Sequence, residues 1–185
     1  SLAEDADVVH LLNPVGSERP YYALFGWAPV GGLTLDDVPS VTTNWSVESG
    51  DTLNADSPVT LRWDSPNGTV FRRTIEIDED FMFTVTQSVE NTSGDALTMA
   101  PYGLIARHGE PTDLKNFFIL HEGVVAMADG TLAEIDYSDM TDFAVDPAEG
   151  ARAEVTQVAE NGWIGFTDHY WMTTIIPENG TAFRQ

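Results

Sequence analysis

The sequence predicts an all-β fold built from antiparallel strands. Apolar and polar residues alternate with a period of two over residues 59–77, as expected for strands that bury one face. Turn-forming residues recur about every 8–15 positions over most of the chain, and aromatic and β-branched residues fill 161–177. This spacing favours two packed sheets over a helical or βαβ fold.

The clearest strand pattern lies between residues 59 and 106. Val59, Leu61 and Trp63 alternate with polar residues, and the turn at 64–68 predicts a hairpin. The pattern defines strands at 59–63, 70–77, 81–89 and 97–106. We therefore predict four consecutive antiparallel strands in this part of the chain.

The second half of the chain has shorter apolar runs and one helix-like signal. The apolar runs lie at 117–120 and 124–127, and the β-rich segment 161–177 ends at a proline. An acid at 146, a proline at 147 and a glutamate at 149 are typical of a helix start, whereas Gly150 disfavours continuation. We predict a helical turn at 146–150 and a strand at 152–160.

Composition limits the classes of function. The 185 residues contain 8 Lys+Arg and 30 Asp+Glu, so the formal net charge is −22, and 42% hydrophobic residues can fill one domain core. Such an acidic surface excludes binding to nucleic acid or anionic lipid through a basic patch. The chain has no cysteine, which excludes thiolate metal sites, cysteine nucleophiles and disulfides. The longest charge-free stretch, 20–35, is too short and too interrupted by Pro and Gly to span a membrane.

Residues with catalytic or metal-binding chemistry form no recognised motif. His10, His108, His121 and His169 are not at metal-ligand spacing, and a structural histidine is favoured over a catalytic one. Residues 129–160 are rich in acids, but a solvated acidic loop is favoured over a calcium site there. We therefore predict no catalytic, cofactor-binding or metal-binding residues and no cofactor.

Aromatic residues form an early and a late cluster. The early cluster contains Tyr21, Tyr22, Phe25 and Trp27, and the late cluster contains Trp163, Phe166, Tyr170 and Trp171. Such side chains could hold a sugar or a peptide on an exposed sheet, but packing between two sheets is the commoner use. We therefore expect most of them in the core.

Eight segments in a fixed order resemble one known family. They are YYALFGW (21–27), the strand at Trp45, PVTLRWDSPNGTVFRRTIEID (58–78), FMFTVTQSVEN (81–91), PYGLIARHG (101–109), FFILHEG (117–123), DGTLAEIDYSD (129–139) and NGWIGFTDHYWMTTIIP (161–177). Together they resemble the large periplasmic domain of the YidC family of membrane protein insertases, in its alphaproteobacterial form. The resemblance covers nearly the whole chain.

The resemblance implies a fold and a cellular setting. The fold would be an antiparallel two-sheet β-supersandwich, similar to galactose mutarotase and without known catalytic activity. The domain would lie on the periplasmic side of the bacterial inner membrane, attached to a transmembrane core that inserts client membrane proteins. Its family partners are the Sec translocon and the SecDF accessory proteins.

Two further expectations follow from the resemblance. Residues 1–185 would form a single periplasmic domain fragment of a larger membrane protein, incomplete at both ends because the family has further strands before 8–14 and after 175–177. The alternative is a mutarotase-like protein that binds or epimerises carbohydrate, although neither its histidine nor its carboxylate can be assigned here.

We expect partner contacts within 117–176, where aromatics alternate with acidic loops. The candidate contact residues are Phe117, Phe118, Trp163, Phe166, Tyr170 and Trp171.

Overall fold

The computed structural model describes residues 10–111, 120–168 and 171–185, and these are almost entirely strands and turns. The strands are β1 (Tyr21–Val30), β2 (Ser46–Ser49), β3 (Val59–Asp64), β4 (Thr69–Ile77), β5 (Phe83–Asn91), β6 (Thr98–Arg107), β7 (Gly123–Ala128), β8 (Thr131–Asp136), β9 (Val145–Asp146), β10 (Ala151–Arg152), β11 (Gln157–Val158), β12 (Gly162–Asp168), β13 (Trp171–Ile175) and β14 (Phe183–Arg184). Two short 3-10 helices span Leu35–Asp37 and Asp139–Asp142. The all-β prediction is confirmed, and the antiparallel sheets are consistent with a sandwich.

The chain divides into two compact units. One comprises Phe25–Gly103, and the other combines Ser1–Leu24 with Leu104–Gln185. We call them the central unit and the terminal unit.

A four-stranded antiparallel sheet, in the order β2-β3-β4-β5, forms the central unit. In its register Trp63 lies opposite Phe71, and Arg73 lies opposite Gln87. Side chains two residues apart on a strand share a face, so these four belong to one face of the sheet. The polar face on the other side carries arginines and glutamates.

The core of the central unit forms where aromatic residues meet the apolar face of this sheet. Trp27, Val38 and Phe71 are the buried members, and Phe71 is fully inaccessible to solvent. The Phe71 ring lies 5.0 Å from the Trp27 ring and 5.5 Å from the Trp63 ring. The expectation that the early aromatics contribute to the core is confirmed for Trp27, and Tyr21 is also buried.

Two details of the predicted four-strand segment were wrong. The fourth strand, β6, pairs with β1 and not with β5, because the long strand β1 supplies a partner that alternation alone does not identify. The third strand begins at Phe83, since Phe81 lies in the preceding turn with a φ of 63°. The first three strands form the predicted consecutive antiparallel arrangement.

The terminal unit contains a second four-stranded antiparallel sheet, in the order β13-β12-β7-β8. Its centre is the apolar strand β7, in which Val124, Val125 and Ala126 are buried. The β-rich segment 161–177 contributes two strands, β12 and β13, paired from Ile164 opposite Ile175 to Asp168 opposite Trp171. This places the late aromatic residues on two neighbouring strands.

The segment 146–160 follows its prediction only in part. A turn closed by a 2.9 Å hydrogen bond from the Gly150 N–H to the Asp146 carbonyl joins β9 to β10, as the predicted helical turn requires. The predicted continuous strand at 152–160 is wrong. Its residues instead contribute to two separate two-residue strands, because β10 pairs with β9 whereas β11 pairs with β14.

No helix in the described part of the chain has the length and hydropathy of a membrane-spanning segment.

Candidate functional site

A group of polar and aromatic side chains in the terminal unit surrounds Arg107 at the end of β6. Its guanidinium forms an ion pair with Asp168 at the end of β12, and the two side chains are 15% and 16% exposed. The Tyr137 hydroxyl donates a 2.8 Å hydrogen bond to the other Asp168 oxygen. Both carboxylate oxygens of Asp168 are therefore engaged.

Aromatic rings surround this ion pair. The Arg107 guanidinium carbon lies 4.4 Å from the centre of the Tyr21 ring and 5.6 Å from that of Tyr137. Phe166 stacks on Tyr137 at 6.0 Å and meets Tyr21 edge-on at 6.2 Å. Cation–π attraction and ring packing thus supplement the ion pair. We call Tyr21, Arg107, Tyr137, Phe166 and Asp168 the Arg107 cluster.

Burial and hydrogen bonding shift the pKa values of Arg107 and the two tyrosines of the cluster. Burial is the largest single influence on Arg107 and lowers its pKa, but the hydrogen bond to Asp168 and the attraction of the surrounding acidic groups together outweigh it, so the pKa of the guanidinium is raised. Burial and the hydrogen bond to Asp168 raise the pKa of Tyr137, and burial raises that of Tyr21. The two tyrosines stay neutral and Arg107 stays charged at neutral pH, and both oxygens of Asp168 already have partners. The cluster therefore connects strands and offers no group that readily moves a proton.

A second arginine, Arg73, lies on the apolar face of the central sheet. Its guanidinium donates a hydrogen bond to the Phe25 carbonyl and a weaker one, at 3.4 Å, to Gln87 Oε1. Its guanidinium carbon lies 5.0 Å from the centre of the Trp45 ring and 5.8 Å from that of Trp27. Within the described residues it forms no ion pair, so carbonyl oxygens and indole rings replace a carboxylate as its partners.

Burial lowers the pKa of Arg73, because no carboxylate offsets the loss of hydration. Its buried Nε has no hydrogen-bond partner among the residues that the structure describes. Such a cation is costly to bury, and the indole rings recover part of that cost through their negative faces. Arg73 therefore orders the aromatic core of the central unit.

Sequence reasoning missed both arginines as structural centres. A signal for Arg73 existed, because Arg73 and Gln87 both occupy apolar positions in alternating strands and lie opposite each other. When polar residues occupy apolar positions of the alternation on two neighbouring strands, a buried polar pair is indicated. No comparable local signal marked Arg107, since its partners Tyr137 and Asp168 come from distant parts of the sequence.

Two of the four histidines, His108 and His121, have separate environments. His121 is held by the Val124 carbonyl, 2.8 Å from its Nε2, and by Asp136, 3.3 Å from its Nδ1. His108 is exposed, and its ring lies 6.0 Å from that of Tyr22. Since both ring nitrogens of His121 face oxygen atoms of the protein, neither is free to remove a proton from a bound ligand.

The acidic segment after β7 uses its first carboxylate structurally. Asp129, in the left-handed region with a φ of 47°, accepts hydrogen bonds from the backbone N–H groups of residues 159, 160 and 161. These bonds lower its pKa. In the described ranges, no three acidic or histidine side chains come close enough together to hold a metal ion.

The six predicted contact residues differ in their surroundings. Phe117, Phe118 and Tyr170 lie outside the described residues. Phe166 packs within the Arg107 cluster, Trp163 is half-buried on β12, and Trp171 is 45% exposed on the outer strand β13. Of the three described residues, Trp171 is the most accessible to a partner.

Comparison with known proteins adds the family context. A family model described as the YidC periplasmic domain matches residues 1–185. A protein of Ruegeria pomeroyi named membrane protein insertase YidC is 61% identical over 189 residues, covering 100% of this chain and 31% of its own. A protein of the same name from Dinoroseobacter shibae is 62% identical over 183 residues, covering 99% of this chain and 30% of its own.

A third relative with this name, from Ruegeria sp. (strain TM1040), is 59% identical over 184 residues, covering 100% of this chain. The chain spans about 30% of the length of that relative. The similarity therefore concerns one segment of a larger protein.

Proposed function

The chain belongs to the YidC periplasmic domain family, and on that premise we propose that it is a non-catalytic scaffold and partner-contact module of a membrane protein insertase. The observation that carries the proposal is the family match over residues 1–185. The closed arrangement of the Arg107 cluster supports the non-catalytic part, because its carboxylate and tyrosines are committed to one another.

Both compact units would belong to one periplasmic domain. The family match runs without interruption through both, and the strands β1 and β6 each contribute residues to both. The domain would lie on the periplasmic side of the inner membrane of a bacterium. Insertion of client membrane proteins would be performed by a transmembrane core in the rest of the protein.

The surrounding gene tests this setting directly. It should encode an apolar helix before this segment and a multispanning region after it. A native gene without hydrophobic spans on either side would contradict the proposal.

Contact with the Sec translocon, and with SecDF in particular, would involve the segment 117–176. Support comes from the outer strands of the terminal sheet, which expose large apolar side chains: Leu132 is 51% exposed on β8, and Trp171 and Met172 are 45% and 50% exposed on β13. Outer strands also present unpaired backbone groups to a partner. This surface contains Trp171, the most accessible of the three described residues in the predicted contact set.

Site-specific crosslinking in the full-length protein tests this placement. A photoreactive residue at position 171 or 163 should give an adduct with SecDF. The control position is Ser88, an exposed residue of β5 in the central unit. An adduct with SecDF from positions in 59–106, with none from 117–176, would refute the placement.

The alternative, a mutarotase-like protein, is tested by calorimetric titration with simple aldoses and by assay of anomer interconversion. Our proposal predicts no turnover, because both His121 nitrogens face protein oxygen atoms. Clear turnover that is abolished in His121→Ala would overturn it.

A further inference from the structure

An exposed apolar group lies at the turn between β4 and β5. Phe81, Met82 and Phe83 are 78%, 56% and 59% exposed, and they are consecutive in the sequence. We call residues 78–83 the hairpin tip. Consecutive large apolar side chains that stay exposed are unusual on a soluble surface and mark interaction sites.

The hairpin tip is held in one conformation by its own hydrogen bonds. Asp78 Oδ1 accepts from the backbone N–H groups of Asp80 and Met82, both at 2.9 Å. The Phe81 N–H donates to the Asp78 carbonyl at 3.2 Å, and the Asp78 N–H donates to the Met82 carbonyl at 3.0 Å. The tip therefore presents its side chains from an ordered turn, which reduces the entropy lost on binding.

Phe81 adopts a backbone conformation that its side chain disfavours. Its φ of 63° lies in the left-handed region, where glycine or asparagine is the usual residue. Little burial offsets this strain, because the ring is 78% exposed. A strained backbone conformation that is not compensated by burial of the side chain points to a functional role for the residue.

Charge defines what the hairpin tip can bind. Glu79 and Asp80 lie beside the apolar residues, and neither forms an ion pair among the described residues. A membrane surface of anionic lipid would repel these acids, and so would a second copy of this chain with its net charge of −22. A protein surface with basic residues around an apolar pocket complements both features.

We propose that the hairpin tip docks into an apolar pocket, rimmed by lysine or arginine, on a protein partner of the full-length insertase. Phe81 and Phe83 enter the pocket, and Glu79 and Asp80 face its basic rim. This contact lies in the central unit and is independent of the contact proposed for residues 117–176. Either contact can therefore fail while the other is observed.

The test uses the full-length protein in its native membrane, with a photoreactive phenylalanine analogue at position 81. Leu35 is the control position, because it is 74% exposed and followed by two acids, but has no second apolar residue beside it. We expect one discrete protein adduct from position 81 and at least about tenfold less from position 35. Mass spectrometry of the adduct should locate the crosslink beside a Lys or Arg of the partner.

Charge reversal then separates docking from incidental proximity. Glu79→Lys with Asp80→Lys should lower the adduct yield at least about fivefold, and replacing the identified basic residue of the partner by Glu should restore it. A probe at position 83 should lose its adduct in Phe81→Gly, a variant whose backbone fits the turn. Limited proteolysis of each variant shows whether the domain is still folded.

Four results would overturn the proposal. They are an adduct with lipid only, an adduct with a second copy only, equal yields from positions 81 and 35, and a yield that charge reversal does not change in a folded variant.

Discussion

Arg73 and Arg107 are both partly buried, and they are stabilised in different ways. Arg107 has a carboxylate partner, whereas Arg73 has carbonyl oxygens and indole rings. An ion pair of low exposure contributes little net stability compared with apolar residues of the same size, but removing one partner leaves the other charge unpaired. The two arginines should therefore respond differently to substitution of their partners.

The first prediction concerns Arg107. Arg107→Leu should destabilise the domain by about 2–4 kcal/mol, because Asp168 would keep its charge at low exposure without its cationic partner. Urea denaturation at neutral pH measures this change. Tyr137→Phe, which removes one hydrogen bond to the same carboxylate, should cost only about 1 kcal/mol.

The double variant Arg107→Leu with Asp168→Leu provides the control. It should be clearly more stable than the sum of the two single losses predicts, since it leaves no unpaired charge. Additive losses would show that the ion pair contributes through packing alone.

The second prediction concerns the strained residue of the hairpin tip. Phe81→Gly should leave the domain as stable as before or up to about 1 kcal/mol more stable, because glycine removes a left-handed penalty of about 1–2 kcal/mol and costs about 0.5–1 kcal/mol of chain entropy. Phe81→Ala should bring no gain, since alanine keeps the penalty. A marked loss of stability in Phe81→Gly, measured by thermal denaturation, would show that the exposed ring supports the fold.

At the scale of single elements, the polar face of the central sheet carries a row of ion pairs across its four strands. Glu48 on β2 contacts Arg62 on β3 at 3.0 Å and Arg72 on β4 at 2.8 Å. Arg72 also contacts Glu90 on β5 at 2.9 Å. Single exposed pairs contribute little, but a row that connects every strand supports the register of the sheet.

The third prediction follows from the pKa of Glu48 within this row. Hydrogen bonds from Arg72 and Arg62 lower that pKa below its usual value of 4.5. A carboxyl group whose pKa is lower in the folded state stabilises the fold at pH values above its unfolded pKa, and this contribution is lost as the pH falls through the folded pKa. Glu48→Gln should therefore lower the melting temperature at about pH 7 and have a smaller effect at about pH 2.5.

The matched control is Glu76→Gln. Glu76 is exposed on β4 and forms no ion pair among the described residues. Its replacement should leave the melting temperature within about a degree of the parent at both pH values. Equal effects of the two substitutions would mean that the row contributes no more than any exposed glutamate.

The strands show how far alternation can predict structure. β3, β4 and β5 were predictable because apolar and polar residues alternate in each of them and the turns between them are short and contain Gly or Asp. The pairing of β6 with β1 was not predictable, since it brings together residues far apart in the sequence. The strands β10 and β11 are two residues each, too short to show a period.

The candidate sites were also predictable only where their residues lie on neighbouring strands. The pairing of Arg73 with Gln87 could have been found from the phase of the alternation, because both belong to adjacent strands. The Arg107 cluster combines β1, β6 and β12 with Tyr137, so its assembly depends on tertiary structure. The local sequence can therefore reveal a buried polar pair on neighbouring strands, but not a cluster whose residues come from distant segments.

At the scale of the whole molecule, charge dominates. The chain carries 30 acids and 8 Lys+Arg. The described ion pairs of Asp and Glu with arginine or histidine use Glu48, Asp64, Glu90, Asp136, Glu149 and Asp168. Salt weakens these attractions, but it also weakens repulsion among the many acids that lie close together on a small domain. The Debye length falls to about 10 Å at 0.1 M salt, so repulsion between exposed acids farther apart than this is largely screened.

The fourth prediction is therefore that the melting temperature rises as NaCl increases from low concentration to about 0.5 M. A variant with fewer unpaired acids, Asp51→Asn with Asp95→Asn and Glu134→Gln, should melt higher than the parent at low salt and respond less to NaCl. These three residues are exposed and form no ion pair among the described residues, so their replacement reduces repulsion without removing an attraction. If the melting temperature of the parent stays constant or falls as NaCl increases, the attraction within its ion pairs outweighs the repulsion from its net charge. An unchanged salt response in the variant would mean that chloride acts by some route other than screening.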